Sequence, residues 1–141
     1  MNETEPRWSR AAILAGALYL IAGLVFAALA GRAPSPALRT TWRAAAYLVS
    51  AFVFAVHIRH EHMRGARPLT TAMHASIGVA LGACALAFAA NLHALSTPSA
   101  NRVRLAIALV AWPLLTGVPA FLVSLFAASI LKRPTDSTSP P

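Results

Sequence analysis

The segment His57-Ile58-Arg59-His60-Glu61-His62 is the densest group of chemically capable side chains in this sequence. On a helix, His57 lies one turn from both His60 and Glu61, so two imidazoles and a carboxylate could converge. Nitrogen and oxygen ligands of this kind suit zinc. The spacing differs, however, from the H-E-x-x-H pattern of metalloproteases. A charged helix end that faces lipid headgroups explains the same residues, and we favour that interpretation.

A further histidine, His74, follows a turn signal at Gly65-Ala66-Arg67-Pro68. Two imidazoles that face each other across neighbouring helices are the axial ligands of a haem b group. His57 and His74 are therefore candidate haem ligands, with zinc at His57, His60, Glu61, His62 and His74 as the other possibility. Interfacial histidines that bind a carbonyl or a lipid phosphate are commoner, so the sequence assures no cofactor.

The histidine segment ends a longer polar stripe, whose members are spaced alternately by four and three residues. They are Arg43, Tyr47, Ser50, Phe54, His57, Glu61 and Arg64. This period places them on one helix face, directed at the bundle interior or at a neighbouring chain. Ionisable groups within a membrane span normally face protein. We therefore expect His57 to pack against protein, with Glu61 or His74 as its partner.

The elements that must position these residues follow from the distribution of charge. The chain has 141 residues, of which 57% are hydrophobic and 11% charged, and its charges bound uncharged runs of 21, 15, 34 and 27 residues. A helix that crosses a bilayer needs about 20 apolar residues. The pattern predicts an all-α integral membrane protein, a single domain with four transmembrane helices in an up-down bundle. Its spans are expected near 8–30, 38–62, 71–95 and 103–131, with disordered tails at 1–6 and 133–141.

Several residues predict where these helices begin and end. Ser35 before Pro36 is typical of an N-cap followed by a proline in the first turn, and Thr70 or Thr71 could cap the third helix. The second uncharged run is short, so its flanking arginines must reach back to the interface and the helix must continue to about Arg64. Pro113 and Pro119 predict a kink in the fourth helix.

The first span has an alternative interpretation. Ala28-Leu29-Ala30 after an apolar run resembles the cleavage site of a secretory signal. The run exceeds the usual hydrophobic region of about 7 to 15 residues, so we favour its retention as a span. Cleavage would leave three spans.

Helix three carries a seam of small residues with spacings of three and four, which consists of Ala75, Gly78, Gly82, Ala85 and Ala89. Small residues allow two helix backbones to approach closely within a membrane. Gly78 and Gly82 therefore predict packing of helix three against helix one, or against its copy in a dimer. Asn91, in the same helix, is expected to hydrogen-bond another helix.

A net charge of +8 would suggest a nucleic-acid partner in a soluble protein. Here the basic residues lie at span ends, where they meet anionic lipid headgroups, so we expect no nucleic acid. Lys and Arg number seven on the side of the termini and five on the other side. This difference favours an orientation with both termini in the cytoplasm. We expect the protein to lie in a bacterial inner membrane.

Two families of small four-helix membrane proteins are excluded by single residue types. The quinone-linked thiol oxidoreductases need cysteine pairs, and this chain has only Cys84. The length and the four spans resemble the small multidrug exporters, which couple protons through a glutamate in their first span. Here Ala11 to Ala30 contains no acid, so nothing from that family is carried over.

The leading hypothesis is a non-catalytic subunit, accessory factor or regulator that works in the lipid bilayer, as a homo-oligomer or within a larger membrane complex. The first alternative is a haem- or metal-binding protein that uses the histidines at the junction of helices two and three. A small oligomeric transporter is the second alternative. An enzyme is least favoured, because the sequence shows no nucleophile with a base and no paired carboxylates.

Overall fold

The computed structural model describes residues 7–96 and 101–131, and the regular structure in these ranges is helical. Helix α1 spans Arg7–Gly31, α2 spans Pro36–Met63, α3 spans Pro68–Leu95 and α4 spans Arg102–Ile130. Each helix is long and apolar enough to cross a membrane. The prediction of an all-helical four-span bundle is confirmed. The predicted disordered tails, 1–6 and 133–141, lie outside the described residues.

The start of α2 follows the predicted cap. Ser35 has an extended backbone, and its Oγ accepts a hydrogen bond from the backbone N–H of Leu38 at 3.2 Å. Pro36 then occupies the first turn, where a missing N–H costs nothing. The helix ends at Met63, and Gly65 adopts a positive φ of 73°, which favours glycine.

The prediction of a threonine cap on α3 is wrong. The helix begins at Pro68, and Arg67 occupies the N-cap position without a side-chain capping bond. The N–H of Thr71 instead donates to the carbonyl of Arg67 at 2.9 Å, so Thr71 already lies inside the first turn. Proline has a fixed φ suited to a first turn, which explains why the helix starts before the threonines.

Helix α4 passes through both of its prolines. Asn101 caps it by accepting from the N–H of Arg104 at 3.1 Å, and Pro113 and Pro119 lie inside the continuous helix. The hydroxyl of Thr116 donates to the carbonyl of Trp112 at 2.9 Å. The kink predicted at the two prolines stays a prediction.

Helix α3 is the centre of the bundle and packs most extensively against α4 and then α1. Gly82 and Gly78 lie on its α1 face: a Cβ added to Gly82 would lie 2.6 Å from the Cβ of Tyr19, and one added to Gly78 would lie 3.3 Å from the carbonyl oxygen of Ala12. On the α4 side, Asn91 donates to the carbonyl of Leu105 at 2.8 Å, as expected for an interhelical bond.

Helix α2 is the least integrated element. It packs mainly against α1, touches α3 less and meets α4 only slightly. Its buried residues, His57, Ile58 and Glu61, all lie near its C-terminal end. The N-terminal half of α2 therefore stands away from α4, and the bundle is open along that side.

Candidate functional site

The predicted histidine segment forms one direct contact between α2 and α3. Nδ1 of His74 donates a hydrogen bond to Oε2 of Glu61 at 2.9 Å. Glu61 lies in the last turns of α2 and His74 near the start of α3, so the tight turn at Gly65 brings them together. Glu61 is only 3% exposed. A buried carboxyl group needs such a partner, because its desolvation is otherwise uncompensated.

His57 is buried against protein, as predicted, but it forms no hydrogen bond with Glu61 or His74. Its ring is 6% exposed, and neither ring nitrogen has a hydrogen-bond partner among the described residues. Instead, its Cε1 lies 3.4 Å from the position that a Cβ on Gly78 would occupy. The absence of a side chain at Gly78 leaves room for the His57 ring, while His74 is placed to reach Glu61.

Two further polar atoms near this junction are buried without a partner in the described chain. They are Oε1 of Glu61 and Oγ1 of Thr71, a residue that is 1% exposed. Thr71 lies one turn before His74 on α3. The junction of α2 and α3 therefore holds more hydrogen-bonding capacity than its described contacts use.

The remaining predicted metal ligands do not join this group. His60 is exposed and His62 is partly exposed, whereas Glu61 is buried. Among residues 7–96 and 101–131, no three His, Cys, Asp or Glu side chains are placed to hold a metal ion. The geometry therefore does not favour the zinc hypothesis, which needs three convergent ligands.

The haem hypothesis also finds little support in the geometry. Two axial imidazoles must face a space large enough for the macrocycle. The ring of His57 instead packs close to Gly78, and a cavity at this junction is lined by His62 but by neither His57 nor His74.

A lateral cleft lies between α2 and α4, with a volume of about 990 Å³. Its floor is formed by α1 and α3 through Tyr19, Gly23, Phe26, Val79, Ala83 and Leu86. The α4 wall includes Trp112, Thr116, Pro119, Ala120 and Val123. The cleft exists because α2 stands apart from α4, and it is open to the outside of the bundle.

The α2 wall of the lateral cleft is formed by much of the predicted polar stripe. The lining residues of this wall include the stripe members Arg43, Tyr47, Ser50 and Phe54, together with Arg39, which precedes the stripe. These residues cover about 22 Å along the helix axis. The two arginines lie near the start of α2, and below them the lining is mostly apolar. The stripe thus has two environments, since His57 and Glu61 are buried one and two turns beyond Phe54.

The stripe is evident from the spacing of its residues in the sequence, whereas the cleft is not. The stripe was expected to face the bundle interior or a neighbouring chain. Its first half lines the cleft, with Tyr47 77% exposed, and contact with a neighbouring chain stays a prediction. Arg39 and the α4 wall were missed. One feature of the sequence could have indicated the cleft. The uncharged run of α2 is short, and this indicates that α2 is less completely buried among the other helices.

Aromatic contacts support the end of the cleft that carries the arginines. The rings of Phe26 on α1 and Trp42 on α2 have centroids 6.2 Å apart at an angle of 38°. Phe26 lines the cleft, and Trp42 precedes Arg43 in the chain. This pair helps to hold the first turns of α2 against α1, because tilted aromatic pairs add to the burial of their area.

Comparison of the chain with known protein families, with curated proteins and with solved structures finds no match. The candidate site is therefore interpreted from its own geometry.

Proposed function

We propose that this protein is a non-catalytic accessory or regulatory membrane protein, and that it works by holding a lipid-like amphiphile in the lateral cleft. The observation that carries the proposal is the cleft itself, which is open between α2 and α4 along the side of the bundle. A molecule dissolved in the bilayer can enter such a cleft sideways without passing through water.

The size and lining of the cleft support this proposal. Its volume of about 990 Å³ lies at the upper end of the range of small-molecule pockets. Phe26, Phe54, Leu86 and Val123 give it an apolar wall, and Arg39 and Arg43 give it a polar end. An elongated molecule with one apolar and one polar end matches this arrangement.

We further infer that the protein resides in a bacterial inner membrane with both termini in the cytoplasm, where it serves a larger membrane complex or a homo-oligomer. The excess of Lys and Arg on the side of the termini supports this orientation. In this orientation Arg39 and Arg43 lie at the outer side of the membrane. The cleft would then draw its ligand from the outer leaflet.

The proposal is tested by filling the cleft with a side chain. Ala27 and Ala28 are neighbouring exposed residues of α1, and only Ala27 lines the cleft. Ala27→Phe should reduce the fraction of protein that retains a bound lipid by about tenfold, the equivalent of about 1.4 kcal/mol. Ala28→Phe should leave that fraction unchanged. Native mass spectrometry of protein released from lipid nanodiscs measures both fractions.

Equal lipid retention in the two variants would contradict the proposal, because the bound lipid would then lie outside the cleft. The absence of retained lipid in the unsubstituted protein would also contradict it. Thermal unfolding of both variants in the same detergent provides the control for folding.

A further inference from the structure

Two arginines lie one helical turn apart at one end of the lateral cleft. Arg39 and Arg43 are both exposed and both line it, and their positions differ by about 6 Å along the axis of α2. Guanidinium groups bind phosphate oxygens through paired, charge-assisted hydrogen bonds. Neighbours at this spacing on a helix can contact one anionic group together.

The described chain supplies no counter-charge for these arginines. Glu61 is the one acidic residue within 7–96 and 101–131. It is buried, it accepts a hydrogen bond from His74, and it lies about 27 Å from Arg43 along α2. Both guanidinium groups are exposed and have no carboxylate partner among the described residues, so they are available to an anion from outside the chain.

The position of the arginines relative to the apolar lining indicates which kind of anionic molecule fits the cleft. Tyr47 and Ser50 follow Arg43 along the same face of α2, and Phe54 ends the lining of this helix. The α2 wall of the cleft therefore passes from charged to polar to apolar along one direction. A membrane phospholipid has the same order in its headgroup, its ester linkages and its acyl chains.

We propose that the lateral cleft binds a single anionic phospholipid, with its phosphate between Arg39 and Arg43 and acyl chain along the α2–α4 side of the bundle. This inference rests on the proposed function, because it names the class of ligand that the cleft holds. The charge of the arginine pair favours a lipid with net negative charge over a zwitterionic lipid that has the same phosphate and the same chains.

The test uses the full chain in nanodiscs that contain equal amounts of phosphatidylglycerol and phosphatidylcholine with identical oleoyl chains. Native mass spectrometry measures the ratio of the two lipids that stay bound. We expect phosphatidylglycerol to be enriched about tenfold over phosphatidylcholine. In the double variant Arg39→Gln with Arg43→Gln, that ratio should fall to the ratio in the nanodisc.

Two arginines of α4 provide the matched control. Arg102 and Arg104 are exposed, lie near the same end of the bundle and do not line the cleft. Arg102→Gln with Arg104→Gln removes the same charge and should preserve the enrichment. The variant Arg39→Lys with Arg43→Lys should keep part of it, because lysine retains the charge and loses the bidentate geometry.

Several outcomes would overturn the inference. Equal binding of both lipids by the unsubstituted protein would do so, as would an equal loss of enrichment in the two double glutamine variants. Displacement of the lipid by inorganic phosphate at millimolar concentration would show a site for the free anion instead. If the double variant Arg39→Gln with Arg43→Gln is destabilised, the inference can still be tested. The double lysine variant and the unsubstituted protein then report the headgroup preference.

This experiment separates the two proposals. Retention of lipid without a headgroup preference, together with its loss in Ala27→Phe, would overturn the anionic-lipid inference and support the proposed function. Retention that Ala27→Phe does not change would contradict both, because the lipid would then not occupy the cleft.

Discussion

At the scale of single residues, Glu61 and His74 form a direct side-chain contact across the α2–α3 junction. One carboxyl oxygen of Glu61 accepts from His74 at 2.9 Å, and the other is buried without a partner in the described chain. Removal of the imidazole would take away this hydrogen bond while the carboxyl group stays buried. The loss of one partner of a buried pair usually costs more than the pair contributes.

His74→Ala is therefore expected to lower the free energy of unfolding by about 2–4 kcal/mol. His60→Ala, which removes an exposed imidazole from the same segment, should change it by less than about 0.5 kcal/mol. Unfolding in detergent micelles, followed by circular dichroism, measures both. The double variant Glu61→Leu with His74→Ala should recover part of the loss, because it leaves no unpaired carboxyl group. Equal stability of His74→Ala and His60→Ala would contradict this account.

At the scale of elements, the contact between α1 and α3 depends on glycines that allow the backbones to meet. A Cβ added to Gly82 would lie 3.1 Å from the carbonyl oxygen of Gly16. A Cβ added to Gly16 would lie 3.2 Å from the carbonyl oxygen of Gly78. Within lipid, such close packing supplies van der Waals contact that a looser interface would lose. Tyr19 lies at this contact between α1 and α3, and it also lines the floor of the lateral cleft.

Gly82→Ala should destabilise the bundle by about 1–3 kcal/mol, because the added methyl group overlaps the side chain of Tyr19 and forces the helices apart. Gly31→Ala is the matched control, since nothing lies within 4 Å of its added Cβ. Gly31 is the last residue of α1, so its replacement should change the stability little, and the two variants should differ by about 1–3 kcal/mol. Thermal unfolding in micelles measures this difference, and a stabilised Gly82→Ala would refute the close contact.

At the scale of the whole molecule, the patterns of charge and of capping residues predicted where the helices lie in the sequence. They predicted less well how the helices are arranged in space. The uncharged runs located four spans, and Ser35 with Pro36 marked the start of α2, because these signals are local in the chain. The cap of α3 was misplaced because Pro68 competes with Thr70 and Thr71 for the first turn. The single-domain interpretation and the kink stay predictions.

The candidate site was predictable only where its residues are neighbours along the chain. Glu61 and His74 flank one short turn, so their proximity could be expected from the sequence, although the choice of His74 over His57 as the partner could not. The lateral cleft depends on the separation between α2 and α4, which no sequence period encodes. Arg39 was missed for the same reason, because its role depends on what lies opposite it in space.

Orientation in the membrane is a property of the whole chain, and it decides which leaflet faces Arg39 and Arg43. We expect the connection between α1 and α2 to lie outside and the connection between α2 and α3 to lie in the cytoplasm, because basic residues are retained on the cytoplasmic side. In a Cys84→Ser background, Pro34→Cys and Arg64→Cys place single thiols at these two connections, where both native residues are exposed.

A membrane-impermeant maleimide applied to intact cells should label Pro34→Cys and spare Arg64→Cys until the cells are permeabilised. The reverse pattern would invert the topology and place the arginine end of the lateral cleft in the cytoplasmic leaflet. The phospholipid site would then draw on the other lipid pool, whereas its headgroup selectivity would be unchanged, since that selectivity depends on Arg39 and Arg43 and not on the side they face.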